Sequence, residues 1–296
     1  MALLRIDAKA CRPCLADGTA PWAALHRHLA AMGKSQTVVI VTHGLRYGPG
    51  RQGSDPHATL LSAAPDGGRH WKCRSLPRRL HLGQGQIRAG QGIAFGWNGM
   101  GSLWRALHQA RTAGLALAHL CVAIRSARPD LRISVMTHSL GARVVTEAML
   151  RAPIPVIDRA LLLTPADYRG RAARALAAPG GRLAHVVAVQ TRENWLFSTL
   201  FAAALPPWRT LAWGPDHARW VDFLPDRMAQ MGIAPPTTRI CHWSSYLRPG
   251  LWPLYRSWMT GGAPLEMFRA PQPPLPTAPV RPSMAAMQER SLTHVH

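Results

Sequence analysis

LRISVMTHSLGARVVTEAML, running from Leu131 to Leu150, is the stretch on which the fold of this chain turns. Its first half holds Ile133-Ser134-Val135-Met136, a short apolar run with the length and β-branched content of a buried strand. From Leu140 onward, Val144, Val145, Ala148, Met149 and Leu150 recur at helical spacing. Thr137-His138-Ser139-Leu140-Gly141 lies between the two halves. A strand that halts at a serine and resumes as a helix predicts a sharp turn that lifts the Ser139 hydroxyl above a sheet. The same turn aims the first helical N–H groups, that of Leu140 included, at any anion formed beside the hydroxyl. Strand and helix pass closely only if the residues two before and two after the serine are small. Gly141 meets that need fully. Thr137, where a glycine is usual, gives a looser fit. Pentapeptides of this kind also arise by chance, so the flanking strand and helix carry the reading.

Working outward, the chain opens with a short strand at Leu3–Ile6 and a helix near Pro21–Met32, bounded by Pro21 at its start and Gly33 at its end. Thr37-Val-Val-Ile-Val-Thr42 is an almost continuous β-branched run and reads as a buried strand. It closes on His43-Gly44-Leu45-Arg46-Tyr47. Gly44 permits a bend that directs a backbone N–H, that of Leu45, toward the same centre as Leu140. His43 reads as a core histidine at a strand end and not as a base. Tyr47 to Gly90 is long, irregular and rich in Gly, Pro, His and Arg. It is expected to be a solvated basic loop, with the sharper alternative that Arg46 and Asp55-Pro56-His57 shape a lid or hold a substrate anion. A strand at Gly92–Trp97 and a helix from Leu103 to Arg128 lead back to the strand before Ser139, a right-handed parallel crossover.

Downstream, Ile157–Thr164 is a strand ending in Pro165-Ala166-Asp167, and a short helix at Arg169–Leu176 is closed by Pro179-Gly180-Gly181. His185–Gln190 is the next strand and ends in Thr191-Arg192-Glu193-Asn194-Trp195. Both strands bring a carboxylate to the sheet edge that carries Ser139, where functional groups of open α/β sheets collect. Trp195–Met231 is helical in part but broken by Pro206-Pro207 and Gly214-Pro215, and reads as a pocket cap or as core. Thr238-Arg-Ile-Cys241 is taken as the last strand, followed by His242 and a helix. The prediction is an α/β domain over 1–260, a mostly parallel central sheet flanked by helices, with lid elements at about 47–90 and 196–232. A Pro-rich tail over 261–296 is expected to be disordered.

Composition narrows the function. Of 296 residues 47% are hydrophobic, enough for a sizeable core, and the longest apolar stretch, Ala113 to Ile124, is too short to span a bilayer. No basic-then-apolar leader opens the chain, so a cytoplasmic protein with reduced thiols is expected from its five cysteines. Cys11-Arg-Pro-Cys14 has redox or half-zinc spacing, but no second Cys/His pair follows at finger spacing, so no metal site is assigned. The net charge of +21 attracts nucleic acid, anionic lipid or acidic substrates. Basic residues spread along the whole chain favour a compositional origin, and no nucleic-acid motif is present. Weak association with anionic surfaces stays open. No Walker loop or dinucleotide fingerprint calls for an organic cofactor.

The chain thus offers Ser139, then an acid, then His242. An alcohol at neutral pH needs a base to take its proton as it attacks, and histidine titrates in the range that allows it to do so. His242 is singled out among 14 histidines by its place after the last strand, with His217 and His57 as rivals. For the acid, Glu193 is placed ahead of Asp167, and Asp222 third. The order serine–acid–histidine, with IVTHGLRYGPG, MTHSLGARV, LLLTPADYRG, VAVQTRENWLF and ICHWSSYLRPG at strand ends, resembles the α/β-hydrolase superfamily, in a bacterial serine esterase or lipase-like branch. The resemblance covers roughly Gln36 to Met259. It implies Ser139 as nucleophile, His242 as base, Glu193 or Asp167 as the orienting acid, and the N–H groups of Leu140 and Leu45 as an oxyanion hole. Gly44, Arg46 and His138 are the expected substrate-binding neighbours. It implies a small-molecule or lipid-like acyl ester as substrate and no cofactor. Trp195 departs from the pattern, since an aspartate is expected just after Asn194. The competing reading is a scaffold without turnover that binds a partner or an anionic surface.

Overall fold

The computed structural model describes residues 3–64, 74–83, 91–204, 214–224, 233 and 240–269. In chain order the strands are β1 (Leu4–Lys9), β2 (Arg12–Cys14), β3 (Thr37–Thr42), β4 (Gln91–Gly96), β5 (Arg132–His138), β6 (Arg159–Leu163), β7 (His185–Val189) and β8 (Trp220–Phe223). The helices are α1 (Trp22–Ala30), α2 (Leu76–Arg79), α3 (Leu103–Ala127), α4 (Gly141–Arg151), α5 (Arg169–Ala177), α6 (Trp195–Ala204), α7 (Ser244–Leu247) and α8 (Trp252–Thr260). One sheet runs β2-β1-β4-β3-β5-β6-β7-β8, parallel throughout except for the β1–β2 hairpin. This is an α/β architecture, a mostly parallel central sheet flanked by helices. The order reverses at β3, with β4 on one side and β5 on the other, so a crevice opens above the carboxyl ends of these two strands.

Burial on both faces explains why these strands read as apolar runs and not as alternating ones. Val38 and Ile40 of β3, Ile133 and Val135 of β5 and Leu162 of β6 point into a core with α1, α3, α4 and α5. Their neighbours Val39, Val41, Met136, Leu161 and Leu163 point into a second core closed by α2 and α8. Ser102 begins α3 by accepting a hydrogen bond from the Arg105 N–H, so the helix start is capped by side-chain chemistry.

Three expectations change. The last strand among the described residues is β8; of the expected strand Thr238–Cys241, Thr238 and Arg239 lie outside the described residues, and Ile240 and Cys241 are not in a strand. At only four residues and interrupted by Asp222, β8 is too short and too polar to stand out in the sequence. The segment 47–90 is not wholly irregular, because α2 forms in it and buries Leu76. Past Gly261 the chain stays packed: Leu265 and Phe268 are buried, and Phe268 meets Phe223 and Trp258 edge-on. Residues 270–296 lie outside the described set. Among the described residues no helix is long and apolar enough to cross a membrane, and Cys11, Cys14, Cys121 and Cys241 are free thiols.

Candidate active site

Ser139 follows β5 with φ +54°, the left-handed region that a residue with a Cβ enters only at a cost. The neighbouring strands hold it there. The Ser139 N–H donates to the Leu163 carbonyl at 2.8 Å, and the Ser139 carbonyl accepts from Ala166 N–H at 3.1 Å and Ala142 N–H at 3.1 Å. Strand-to-helix contact is so close at Gly141 that a Cβ there would stand 1.9 Å from Thr137 Oγ1 and 2.4 Å from the His43 carbonyl. The loop after β3 lies equally near, since a Cβ on Gly44 would stand 2.8 Å from the His138 carbonyl and 3.4 Å from the Leu140 nitrogen. Leu45 and Leu140 therefore flank Ser139. Neither N–H has a protein acceptor among the described residues.

His43 holds the β3 loop in shape. Its Nδ1–H donates to the Gly44 carbonyl at 2.9 Å and its Nε2 accepts from Trp97 N–H at 2.9 Å, while the Trp97 indole donates to the His43 carbonyl at 2.9 Å. The ring stacks on Trp97 and is fully buried, which pushes its pKa down to about 3. It stays neutral and is no base in the site.

His242 stands in the loop before α7, between Phe197, stacked at 4.8 Å, and His138, edge-on at 4.5 Å. The His138 Nε2–H donates to the His242 carbonyl at 2.9 Å, and the Thr164 hydroxyl donates to it at 3.3 Å. His138 thus ties the end of β5 to the His242 loop. Burial holds its pKa near 4. Burial, with His138 beside it, also puts the His242 pKa well below the ordinary range. The His242 Nδ1 lies 2.6 Å from Asn194 Oδ1. Asn194 Nδ2 donates to the Ser198 hydroxyl at 3.0 Å, which fixes the amide with its oxygen toward the ring. Nδ1 must then carry the proton, leaving Nε2 as the basic nitrogen.

Neither acid expected from the sequence takes that position. The Glu193 carboxylate is buried in an ion pair with Arg248 at 2.6 Å and accepts from Ser244 at 3.4 Å, and the Glu193 carbonyl accepts from Cys241 N–H at 2.8 Å. Its effect is to latch the 241–248 segment onto the end of β7, which brings Asn194 and His242 together. Asp167 turns beneath α4 and α5, where Arg143 and Arg171 lie at 3.3 Å each and the Thr146 hydroxyl donates to it. Its full burial raises its pKa to about 6, against the pull of Arg143. Asp222 accepts from Gly214 N–H at 2.6 Å and the Trp220 indole at 3.2 Å. The rival histidines are also engaged elsewhere, His217 accepting from Arg219 N–H at 3.1 Å and His57 pairing with Asp7 at 2.7 Å. Asn194 was overlooked because an amide carries no charge signal. Its place beside Glu193, at the end of a strand on the correct edge, was the only clue in the sequence.

A cavity of about 650 Å³ brings these groups to one space. Gly44, Leu45, His138, Ser139, Leu140, Thr164, Asn194 and His242 line it. Phe197, Leu200 and Phe201 of α6, with Leu103, Trp243 and Tyr246, make the rest mostly apolar, and Arg46 is the charged residue among the described lining. No hydrogen bond joins the Ser139 and His242 side chains among the described residues. Apo sites often have loose catalytic contacts that tighten on binding. No family model and no curated protein matches the chain. Among solved structures it is similar to the Pyrococcus horikoshii acylaminoacyl peptidase in its orthorhombic crystal form, at 12% identity and a TM-score of 0.35. The match covers 80% of this chain and 40% of that one, so the chain spans well under half the length of that protein. The fold assignment rests on the chain's own sheet order and not on this likeness.

Proposed function

We propose that the chain is a serine hydrolase that cleaves a carboxylic ester or thioester through an acyl-enzyme, with Ser139 as nucleophile and His242 as base. One observation carries the reading: Ser139 is held at positive φ between two N–H groups without protein acceptors, in the apolar cavity that also holds His242. Such a turn is strained, and strain of this kind persists where the surrounding structure insists on it, often at functional sites.

The proposed reaction runs through these groups. Ser139 Oγ attacks the acyl carbon as its proton passes to His242 Nε2. The carbonyl oxygen becomes an oxyanion that accepts from the Leu45 and Leu140 N–H groups. Collapse of the tetrahedral adduct expels the alcohol or thiol, which leaves with the proton from Nε2. Water then attacks the acyl-serine, giving a proton to His242, and the carboxylic acid departs as Ser139 recovers its hydrogen. Throughout, Asn194 Oδ1 accepts from Nδ1–H, fixing the tautomer and offering a dipole to the imidazolium in place of a full negative charge. The apolar walls suit an acyl chain, so an ester-cleaving, lipase-like or esterase activity is favoured over cleavage of a charged substrate.

A fluorophosphonate probe tests the reading, because it reacts covalently only with an activated serine. Labelling that is lost in Ser139→Ala, with hydrolysis of p-nitrophenyl esters graded by chain length, is the expected result. The neutral partner of His242 is what favours a scaffold without turnover. A folded wild-type chain that neither labels nor hydrolyses any ester of the series would establish that alternative.

A further inference from the structure

The rim of the cavity combines two features that soluble surfaces rarely put together. The first is apolar exposure. α6, WLFSTLFAAA, has no charged residue and no buried one, although one side of it lines the cavity. Trp195 is 55% and Leu200 59% exposed, and Trp104, next to the lining residue Leu103, is 62% exposed. Exposed apolar groups that cluster, unlike scattered ones, mark a contact surface.

The second feature is charge of one sign. Four of the strands that end on this edge are followed by an exposed arginine: Arg46 after β3, Arg105 after β4, Arg169 after β6 and Arg192 after β7. The carboxylates at the same strand ends do not offset them. Asp167 and Glu193 are both buried, each against its own arginine partner. The exposed rim is therefore cationic on a chain already at +21. Tryptophan and arginine are the side chains that settle at a membrane–water boundary, the ring at headgroup depth and the guanidinium reaching the phosphates over an apolar stem.

From this charge complementarity we infer that the cavity rim, formed by α6 and the first turn of α3, is a docking surface for a bilayer containing anionic phospholipid. The surface presents the cavity mouth to the lipid, so an acyl substrate enters from the membrane without crossing water. The docking itself rests on exposure and charge and stands whether or not Ser139 turns over.

Sedimentation of the full chain with lipid vesicles tests this directly. The wild type is expected to pellet with vesicles of phosphatidylcholine plus phosphatidylglycerol, to stay in solution with phosphatidylcholine alone, and to be released by salt as the Debye length falls to about 3 Å at 1 M. With each arginine near the surface worth about 1 kcal/mol, Arg105→Glu with Arg169→Glu, which also adds two repelling charges, is expected to weaken partitioning at least roughly thirtyfold. Trp104→Glu with Trp195→Glu should weaken it comparably. Arg27→Glu with Lys34→Glu reverses two charges at the opposite end of the sheet and should lose far less. Thermal unfolding of each variant confirms that the fold is kept. Equal binding to both vesicle types, wild-type binding by either rim variant, or equal losses at the two ends of the sheet would each overturn the proposal. A wild type that ignores vesicles but dimerises through the same tryptophans assigns the face to a second copy, and overturns it as well.

Discussion

Asn194 is the residue on which the proposed chemistry can be tested most sharply. Its Oδ1 is 2.6 Å from His242 Nδ1, with Asn194 buried and His242 half-buried. In Asn194→Ala the Nδ1–H loses its acceptor, and a buried polar group left unpaired costs about 1–3 kcal/mol. If that interaction must be present for Nε2 to face Ser139, kcat/KM falls roughly 5- to 150-fold. Asn194→Asp makes the opposite change. A carboxylate beside the ring favours the imidazolium and raises the His242 pKa. His242 acts as a base only when neutral, so activity is lost as pH falls through its pKa. In the wild type burial holds that pKa well below the ordinary histidine range, so the acid limb of kcat/KM lies at low pH. In Asn194→Asp the limb moves to higher pH, while turnover at pH 8 is kept or improved by the better-stabilised imidazolium. The assay is kcat/KM against pH on a soluble p-nitrophenyl ester, with fluorophosphonate labelling to count active sites. Asn194→Ala with wild-type kcat/KM, or Asn194→Asp with an unmoved acid limb, would refute the positioning role. Loss of labelling in the wild type would instead refute the hydrolase reading, so the two failures are distinguishable.

Ser139→Ala should cost roughly three or more orders of magnitude in ester hydrolysis at unchanged Tm, by analogy with other triads. Gly141→Ala sets a methyl group against Thr137 Oγ1 and the His43 carbonyl, where backbone must move, so it should lower Tm and disturb the turn even though the helix itself favours alanine; an unchanged Tm and rate would contradict the packing described. Glu193→Gln should retain the pH profile but lose stability, because Arg248 is left buried beside a neutral group, at a cost on the order of 3–5 kcal/mol in other buried pairs. Acid should destabilise the fold: His43 and His138 are held neutral to about pH 3 and 4 but take protons near 6.5 when unfolded, so stability is full above pH 6.5 and lost below it, about 2 kcal/mol each by pH 5. Asp167, raised to about 6, works in the opposite direction between pH 6 and 4 and returns about 1 kcal/mol, leaving a net loss that denaturant titration at pH 7 and 5 can read.

Much of the fold was legible because the central strands are buried on both faces and read as unbroken apolar runs. Thr37–Thr42 is a strand with those same limits, and the turn at Ser139 falls where strand and helix patterns meet. β8 was not legible, since four residues with Asp222 among them carry too little periodicity. The places of Ser139 and of the two flanking N–H groups could be read from strand ends, because parallel topology converts sequence order into position along one edge, whereas His242 was singled out by a strand before it that Ile240 and Cys241 do not form. The partner of Nδ1 could not. Both Glu193 and Asn194 leave β7 on that edge, and which of them meets the ring depends on Arg248, 55 residues downstream in sequence, closing on the carboxylate. No local pattern encodes a choice made by so distant a side chain.

The arginine excess gives that choice a physical reason. With 14 acidic against 35 basic side chains, a buried carboxylate in this chain readily finds a guanidinium. Glu147, Asp167 and Glu193 are all buried and all paired with arginine. A carboxylate facing His242 would have to be buried without such a partner, beside a ring whose own surroundings oppose charge. An amide avoids that desolvation cost, being neutral in both protonation states of the histidine. What it gives up is part of the imidazolium's stabilisation. The Glu193–Arg248 pair compensates in geometry and not in charge, since it fixes the two loops that hold the 2.6 Å contact between Asn194 and His242.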